Sequence, residues 1–344
     1  MNTFDNRQRA RRRGAMAALA ANLALGTMGA GHAQTLGRPP TVAEPGGINL
    51  GGTTFVDGFS RMSPGWTYLG YLRYAHGSDI KDGGGNNVAA FNDPAIEAVT
   101  LVNHFSYTSP VEICGAILGV NIVLPIVSVH TSFGQPGAAL QGGGTALGDV
   151  TIGPSLQFKP VMGDRGPLFV QRVEFSVIAP TGKYDQGRDI NQGSGVYSLN
   201  PYWAATWFPA AGWEASWRLN YLYNFRNDKP ASSSPLAFQG APVRDTQAGR
   251  AAWVNFTTSY EIAPRIRAGL NGYYFKQLSD NEINRVRIDN SREQVLGVGP
   301  GMMFEVQRQG GKHDALWINT YVESQVRNRT RNDRIVQVRY AYEF

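Results

Sequence analysis

The sequence predicts an all-β protein: a transmembrane, antiparallel, up-and-down β-barrel of 12 strands with short periplasmic turns and long extracellular loops. Three observations predict this fold. The chain begins with an export signal, its later segments alternate apolar and polar residues, and the connections between those segments alternate in length. Successive side chains of a strand point to opposite faces, so in a membrane barrel the alternation places apolar side chains against lipid and polar ones in the lumen.

The N-terminus has the three parts of a secretory signal peptide. Five arginines precede an apolar, Ala-rich stretch at residues 15–30, and a small-x-small cleavage site follows near Ala33. The pair Arg12-Arg13 also fits a twin-arginine signal, although that route carries folded cargo. Residues 1–33 contain five Arg and one Asp, so their removal lowers the formal charge from +6 to +2. We therefore expect no nucleic-acid partner.

The mature chain divides into two parts. Residues 34–64 are rich in Gly and Pro and have no sustained period, which predicts a linker, a mobile N-terminal arm or a small plug inside the lumen. Residues 65–344 form the predicted barrel, and the single Cys114 cannot close an internal disulfide within it. The apolar stretch at residues 113–129 has the minimum length for a membrane helix, but Pro125 would break that helix, so we interpret the stretch as a strand.

Twelve segments have the alternation of barrel strands. They are residues 66–76, 96–107, 116–127, 148–158, 168–179, 195–208, 212–225, 251–262, 266–276, 295–306, 315–324 and 335–344. The predicted long connections are residues 76–94, 128–147, 180–194, 226–250, 277–294 and 325–334. Outer-membrane barrels sort their connections by length in this way, whereas a soluble sandwich has no reason to do so. An even strand count leaves both chain ends in the periplasm, and ten or fourteen strands would do so as well.

The last strand has two distinct faces. In the final nine residues, VQVRYAYEF, one face carries Val336, Val338, Tyr340, Tyr342 and Phe344, and the other is polar or small. A terminal strand that ends in Phe resembles the C-terminal signature of bacterial outer-membrane barrels, which implies recognition by the barrel-assembly machinery. An ordinary sandwich strand at a chain end would show the same alternation.

The seventh segment indicates which side chains face the lumen. Every second residue from Trp213 to Phe225 is apolar or aromatic, and the alternate face is polar except at Leu222. An Arg that faces hydrocarbon costs about 2–4 kcal/mol at the bilayer midplane, so the polar face must line the lumen. The same count gives the lumen-lining candidates Arg172, Glu174, Glu214, Arg218, Asn220, Asn255, Glu323 and Arg339. They either brace the barrel or form a constriction that selects solutes, together with the inward aromatic candidates Trp253, Tyr273, Phe275, Trp317 and Tyr321.

Six motifs occur in an order and spacing that resemble one protein family. They are LGDVTIGP, APTGKYD, NPYWAATWF, GWEASWRLNYLYNFRNDKP, NGYYFKQLSDN and GVGPGMMFE. Between Tyr68 and Phe344 the chain resembles the meta-pathway of phenol degradation family of bacterial outer-membrane proteins. The resemblance implies an outer-membrane barrel that helps aromatic or other hydrophobic compounds to cross the envelope. It implies no catalytic residues.

Few residues suggest catalysis or metal binding. The four histidines after residue 33 lack metal-ligand spacing, and neither a G-x-S-x-G elbow nor a P-loop occurs. We therefore expect a non-enzyme with no metal and no cofactor. Two alternatives stay open. Aspartates of the first and third long loops could bind calcium, and His104 with Ser106 on one strand face could serve a membrane-embedded lipid enzyme.

The sequence favours a passive channel for the uptake of small hydrophobic or aromatic compounds across the Gram-negative outer membrane, with a link to aromatic catabolism. Its expected partners are the solute and outer-membrane lipid. A 12-stranded barrel is wider than an eight-stranded one, which side chains nearly fill, and narrower than an open porin, so we expect a constricted path. The second hypothesis is a structural or surface-interaction barrel with a blocked lumen.

Overall fold

Twelve long strands dominate the computed structural model, which describes residues 39–42, 44–308 and 313–344, without the side chain of His313. The strands are β1 (Gly65–Ile80), β2 (Asn92–Ile113), β3 (Ala116–Gly134), β4 (Val150–Phe158), β5 (Gly166–Ala179), β6 (Ser198–Trp207), β7 (Trp213–Asn224), β8 (Ala251–Ala263), β9 (Ile266–Gln277), β10 (Gln294–Gln307), β11 (His313–Arg327) and β12 (Thr330–Glu343). The signal peptide predicted for residues 1–33 lies outside the described residues.

The strands form a closed barrel. Each strand pairs antiparallel with its neighbours in the chain, and β12 pairs with β1 so that Tyr68 lies opposite Tyr342. The chain enters β1 and leaves β12 at the same end of the barrel, where the backbone N–H of Phe344 donates to the carbonyl of Trp66 at 3.0 Å. The predicted 12-stranded, up-and-down barrel is therefore confirmed, and its short turns lie at this periplasmic end.

The stretch at residues 113–129 lies mostly within β3, as the sequence predicts. No helix in the described part of the chain has the length and the apolar character of a transmembrane helix. β2 and β3 are longer than predicted, because the hydrogen-bonded ladder continues beyond the alternation from which the bounds are inferred.

The last long connection was predicted wrongly. Residues 325–334 were expected to form a long loop, but β11 and β12 are joined by a tight turn at Asn328 and Arg329. Asn328 has a φ of 53°, and Asn tolerates this left-handed conformation better than most residues. The polar run around Asn332 resembles a loop in sequence, yet it forms the ladder of the strand at the extracellular end.

The outer wall is apolar and carries aromatic side chains near the periplasmic end. Large exposed side chains cover the middle of the wall, among them Leu72, Leu219 and Val322. Three aromatic pairs lie close to the short turns: Trp66 with Tyr107, Trp213 with Tyr260, and Tyr342 with Phe344, at ring-centroid distances of 5.0, 5.1 and 5.2 Å. This arrangement is typical of a lipid-facing wall with an interfacial aromatic belt.

The barrel interior contains chain that precedes β1. Leu50 packs in a buried cluster with Leu222, Trp253, Tyr273 and Phe275. This packing explains why Leu222 breaks the polar face of β7: its side chain is 0% exposed and contributes to an internal core. A second cluster joins Phe55 to Met303 and Trp317, and a third joins Val42 to Ile283 and Ile288 in an extracellular loop.

Candidate functional site

Residues 44–64, called here the inner segment, run through the lumen from one end of the barrel to the other. At the extracellular end, Asn224 Nδ2 donates to Glu44 Oε2 at 2.7 Å. In the middle, the hydroxyl of Tyr321 donates to the carbonyl of Gly51 at 2.7 Å. At the periplasmic end, Arg61 Nη1 donates to the carbonyl of Phe344 at 2.9 Å. The inner segment therefore occupies the space that an open pore would need.

Two glycines allow the inner segment to approach the wall. A Cβ on Gly51 would lie 3.0 Å from the rings of Tyr273 and Tyr321, and the φ of Gly51 is +72°. A Cβ on Gly58 would lie 2.5 Å from the backbone nitrogen of Thr206 and 2.6 Å from the carbonyl oxygen of Val170. Side chains can move aside, but strand backbone cannot do so cheaply. Gly58 is thus the tightest fit between the inner segment and the wall that carries β5 and β6.

Asp57 lies among three guanidinium groups from three different strands. Arg218 of β7 forms a bidentate pair with it, with Nε–Oδ2 at 3.0 Å and Nη2–Oδ1 at 2.7 Å. Arg172 Nη2 of β5 and Arg339 Nη1 of β12 lie 3.6 and 3.7 Å from the same carboxylate. The Asp57 side chain is 1% exposed. A buried carboxylate requires such charge pairing, and removal of one partner leaves the others uncompensated.

Aromatic rings frame these guanidinium groups. The Arg218 guanidinium carbon lies 4.6 Å from the ring centroid of Tyr202, and that of Arg339 lies 4.6 Å from Trp317 and 5.3 Å from Tyr71. A guanidinium over an aromatic face is stabilised by the negative face of the ring. The centre of the lumen is thus a cationic and aromatic chamber, called here the arginine chamber, with the Asp57 carboxylate in it.

Glu174 belongs to a neighbouring network of neutral donors. Its Oε2 accepts from the hydroxyl of Tyr202 at 2.5 Å and from Asn121 Nδ2 at 2.7 Å. His104 Nε2 lies 2.8 Å from Asn121 Oδ1, so among the described side chains its partner is this amide rather than the hydroxyl of Ser106. The Ser–His pair considered from sequence is therefore not assembled, which removes the basis of the lipid-enzyme alternative.

The remaining lumen-lining candidates form polar contacts that hold the inner segment or the wall. Glu214 accepts from the hydroxyls of Ser216 and Ser259 at 2.6 and 2.7 Å. Asn255 Oδ1 accepts from the backbone nitrogen of Gly51 at 3.0 Å. Glu323 accepts from the Tyr273 hydroxyl through Oε1 and from the backbone nitrogen of Asn332 through Oε2, both at 2.6 Å. Asn220 Nδ2 donates to the Arg218 carbonyl at 3.1 Å.

Sequence reasoning missed the partner that draws the three arginines together. Asp57 lies in a stretch without period, and nothing in that stretch marks it as different from an ordinary loop acid. The eight candidates were found because strand alternation assigns a face to each of them. As contacts for a solute, those eight residues stay a prediction.

Two carboxylates lie close together where the inner segment begins. The backbone nitrogen of Glu44 lies 3.4 Å from Glu293 Oε1, and Arg329 Nη1 lies 3.3 Å from Glu293 Oε2. Burial and the nearby Glu293 charge raise the pKa of the Glu44 carboxyl well above its ordinary value, and the Asn224 hydrogen bond opposes this shift only in part. Ionisation of Glu44 is therefore unfavourable while the inner segment is in place.

An open cavity of about 700 Å³ lies along the wall from the end of β2 to β7. Its lipid-facing part includes Val173, Phe175 and Trp203, and its deeper part includes Glu174 and Tyr202 of the lumen. Two prolines line it as well, and proline removes a donor from a strand ladder. These prolines are Pro154 and Pro201.

The backbone ladder is interrupted at this cavity. Between β4 and β5 the register is constant, but two ladder pairs next to Pro154 are missing between Ile152–Val177 and Ser155–Glu174. Between β6 and β7 the register is constant as well, and two ladder pairs next to Pro201 are missing between Leu199–Tyr223 and Tyr202–Asn220. Lipid-facing apolar side chains and two lumen residues, Glu174 and Tyr202, thus line the same cavity beside these missing pairs.

A closed barrel with an apolar belt outside and polar side chains inside defines an outer-membrane β-barrel protein. Comparison with known proteins agrees with this class. The chain belongs to the family described as MetA-pathway of phenol degradation, whose profile matches residues 77–340. This match confirms the resemblance inferred from the motifs, and the fold and the family together locate the protein in the outer membrane.

One solved structure shows the same fold. The COG4313 outer membrane channel from Pseudomonas putida F1 is 15% identical over 85% of this chain and 100% of that chain, with a TM-score of 0.69. The β domain of the Bordetella autotransporter BrkA is 12% identical over 82% of this chain and 100% of that chain, with a TM-score of 0.44. The translocator domain of NalP from Neisseria meningitidis is 10% identical over 84% of this chain and 91% of that chain, with a TM-score of 0.45. Both TM-scores are too low to support a conclusion. A sequence search among curated proteins gives no match.

Proposed function

We propose that the protein is a channel for the passive uptake of small hydrophobic or aromatic compounds, with a link to aromatic catabolism. The wall cavity carries this proposal, because its lining includes both lipid-facing apolar side chains and the lumen residues Glu174 and Tyr202, and because it lies where the ladder lacks pairs. The family name refers to phenol degradation, and the similar Pseudomonas putida protein is named an outer membrane channel. The family name supports an aromatic solute, and the name of the similar structure supports a channel.

The occupied lumen favours apolar solutes over hydrated ones. The inner segment fills the axis of the barrel, so a hydrated solute has no wide aqueous path along it. An apolar solute can instead move along the wall cavity, past Phe175 and Trp203, and reach Tyr202 at the lumen edge. Removing apolar surface from water contributes about 25 cal/mol per Å², which draws such a solute into the cavity.

The remaining parts of the chain have supporting roles in this proposal. Residues 1–33 are a signal peptide cleaved near Ala33, residues 34–64 are the arm that regulates passage, and residues 65–344 are the barrel. The strand that ends at Phe344 contacts the barrel-assembly machinery during insertion, and the apolar wall contacts outer-membrane lipid. The eight lumen-lining candidates contact the solute, and five of them also hold the inner segment: Arg172, Glu214, Arg218, Asn255 and Arg339. The protein has no catalytic role.

A cavity-filling substitution tests the path. We expect Val173→Trp to lower phenol uptake several-fold, because the larger side chain fills part of the cavity. Ile318→Trp is the matched control, since Ile318 is exposed to lipid on β11, away from the cavity. Uptake is measured in vesicles with lipopolysaccharide outside, because a plain phospholipid bilayer passes small apolar solutes without a channel. Equal uptake by the two variants would remove the wall path, and no uptake by wild type would favour a structural barrel.

A further inference from the structure

The arginine chamber is a property of the barrel wall, whereas its occupant belongs to the inner segment. Arg172, Arg218 and Arg339 come from β5, β7 and β12, and their side chains are 8–11% exposed. Asp57 reaches the chamber only because the inner segment lies in the lumen. Without Asp57, three buried guanidinium groups would face each other with no carboxylate directly between them, which is costly. The wall therefore provides an anion site whatever the occupant is.

Asp57 uses only part of the hydrogen-bonding capacity of this site. Its carboxylate pairs with the planar fork of Arg218, but lies 3.6 and 3.7 Å from Arg172 and Arg339. Arg172 Nη1 donates instead to the backbone carbonyls of Asp57 and Phe59, and Arg339 Nη1 donates to the hydroxyl of Thr54. Among the described residues, the buried Arg339 Nε and Trp317 Nε1 donate to no acceptor. The Asp57 carboxylate thus forms close hydrogen bonds with Arg218 alone and leaves Arg172 and Arg339 to neutral acceptors of the inner segment. A free carboxylate has no tether and can sit closer to the unused donors.

The rings around the chamber select what the carboxylate is attached to. Tyr71, Tyr202 and Trp317 present ring faces beside the guanidinium groups, at 4.6–5.3 Å from the nearer guanidinium carbon. Offset or edge contacts between aromatic rings are favourable beyond simple burial. A flat aromatic body attached to the carboxylate is therefore a better fit than a small hydrated anion.

We propose that Arg172, Arg218 and Arg339 bind the carboxylate of an aromatic acid, and that Asp57 is the internal competitor which this ligand displaces. The proposal rests on the channel function proposed above and names a solute class for it. Replacement of one carboxylate by another keeps the charge of the chamber unchanged. A neutral aromatic compound that displaced Asp57 would leave the arginines uncompensated, so it cannot release the inner segment in the same way. The ligand thus opens the lumen by exchange.

Hydrogen–deuterium exchange of the purified full-length protein in nanodiscs tests this exchange. Benzoate and benzamide are the probes, because they have nearly the same shape and differ in charge. We expect benzoate to accelerate exchange at the backbone amides of residues 54–59, and benzamide to have no effect.

We expect Asp57→Asn to raise the affinity for benzoate roughly tenfold, because a hydrogen bond to a charged group is worth about one factor of ten and the competitor is gone. Arg218→Gln should lower that affinity.

Asp280→Asn is the matched control. Asp280 also forms a bidentate pair with an arginine, Arg292, at 3.0 and 3.1 Å, but in an extracellular loop. This variant should bind benzoate as wild type does. Asp57 lies outside the strands, so Asp57→Asn should retain the barrel. Heat-modifiable migration on a gel checks that each variant does so.

Three results would overturn the proposal. They are equal effects of benzoate and benzamide, unchanged benzoate affinity in Asp57→Asn, and equal binding of benzenesulfonate, which would indicate a general anion site. Phenol uptake measured on the same preparation separates this inference from the channel function. If phenol passes and benzoate leaves residues 54–59 unaffected, only the aromatic-acid site is wrong. If benzoate binds and phenol does not pass, the channel function fails while the site stands.

Discussion

Gly58→Ala should weaken the packing of the inner segment against the barrel wall and raise the conductance of the barrel. The added Cβ would lie 2.5 Å from the backbone nitrogen of Thr206 and 2.6 Å from the carbonyl oxygen of Val170, and both atoms belong to strand backbone that cannot rotate away. Overpacking of a tight site costs about 1–3 kcal/mol. This cost applies only when the inner segment lies in the lumen, called here the seated state. The ratio of molecules with a seated inner segment to molecules with a released one should therefore drop by roughly 5–150-fold.

Planar-bilayer recording of single channels measures this change directly. The open fraction should rise in Gly58→Ala and stay at the wild-type value in Gly46→Ala. Gly46 is the matched control, because it lies in the same segment and a Cβ there has nothing within 4 Å. An identical open fraction in wild type, Gly46→Ala and Gly58→Ala would refute the reasoning that the contact at Gly58 keeps the lumen occluded.

Two further predictions concern pH and stability. With the inner segment in the lumen, the pKa of Glu44 is raised above its ordinary value of 4.5. The inner segment is therefore held most strongly below pH 4.5 and less strongly as pH rises through the raised pKa, so the open fraction should increase from acid to neutral pH. This dependence should weaken in Glu44→Gln, and an open fraction that falls with rising pH would contradict the reasoning. Leu222→Ala should cost about 2–5 kcal/mol in urea unfolding from vesicles, because the side chain is fully buried, whereas Leu219→Ala, three residues away and 44% exposed to lipid, should cost much less.

Strand alternation predicted most of the barrel because the membrane imposes it. Lipid accepts only apolar side chains on the outer face, so residues such as Arg218 and Glu174 could be assigned to the lumen from their position alone. The same signal fails where the wall leaves the membrane. The ladder around Asn332 is strand, but its polar side chains gave no alternation, and the turn at Asn328 was therefore read as a long loop.

The arrangement of the candidate site could be predicted only in part. Each arginine of the chamber was placed on a strand face, but their convergence on Asp57 depends on barrel closure and on the course of the inner segment. Neither is encoded by a local period. The wall cavity was missed for a similar reason: Pro154 and Pro201 lie on different strands, and only the register brings the two interruptions together.

The initial rate of phenol uptake by vesicles with lipopolysaccharide outside tests most directly whether this barrel conducts apolar solutes under the control of its inner segment. Wild-type protein should raise the rate above that of protein-free vesicles, and Gly58→Ala should raise it further. A wild-type rate equal to that of protein-free vesicles, with Gly58→Ala no faster, would contradict both conduction and control.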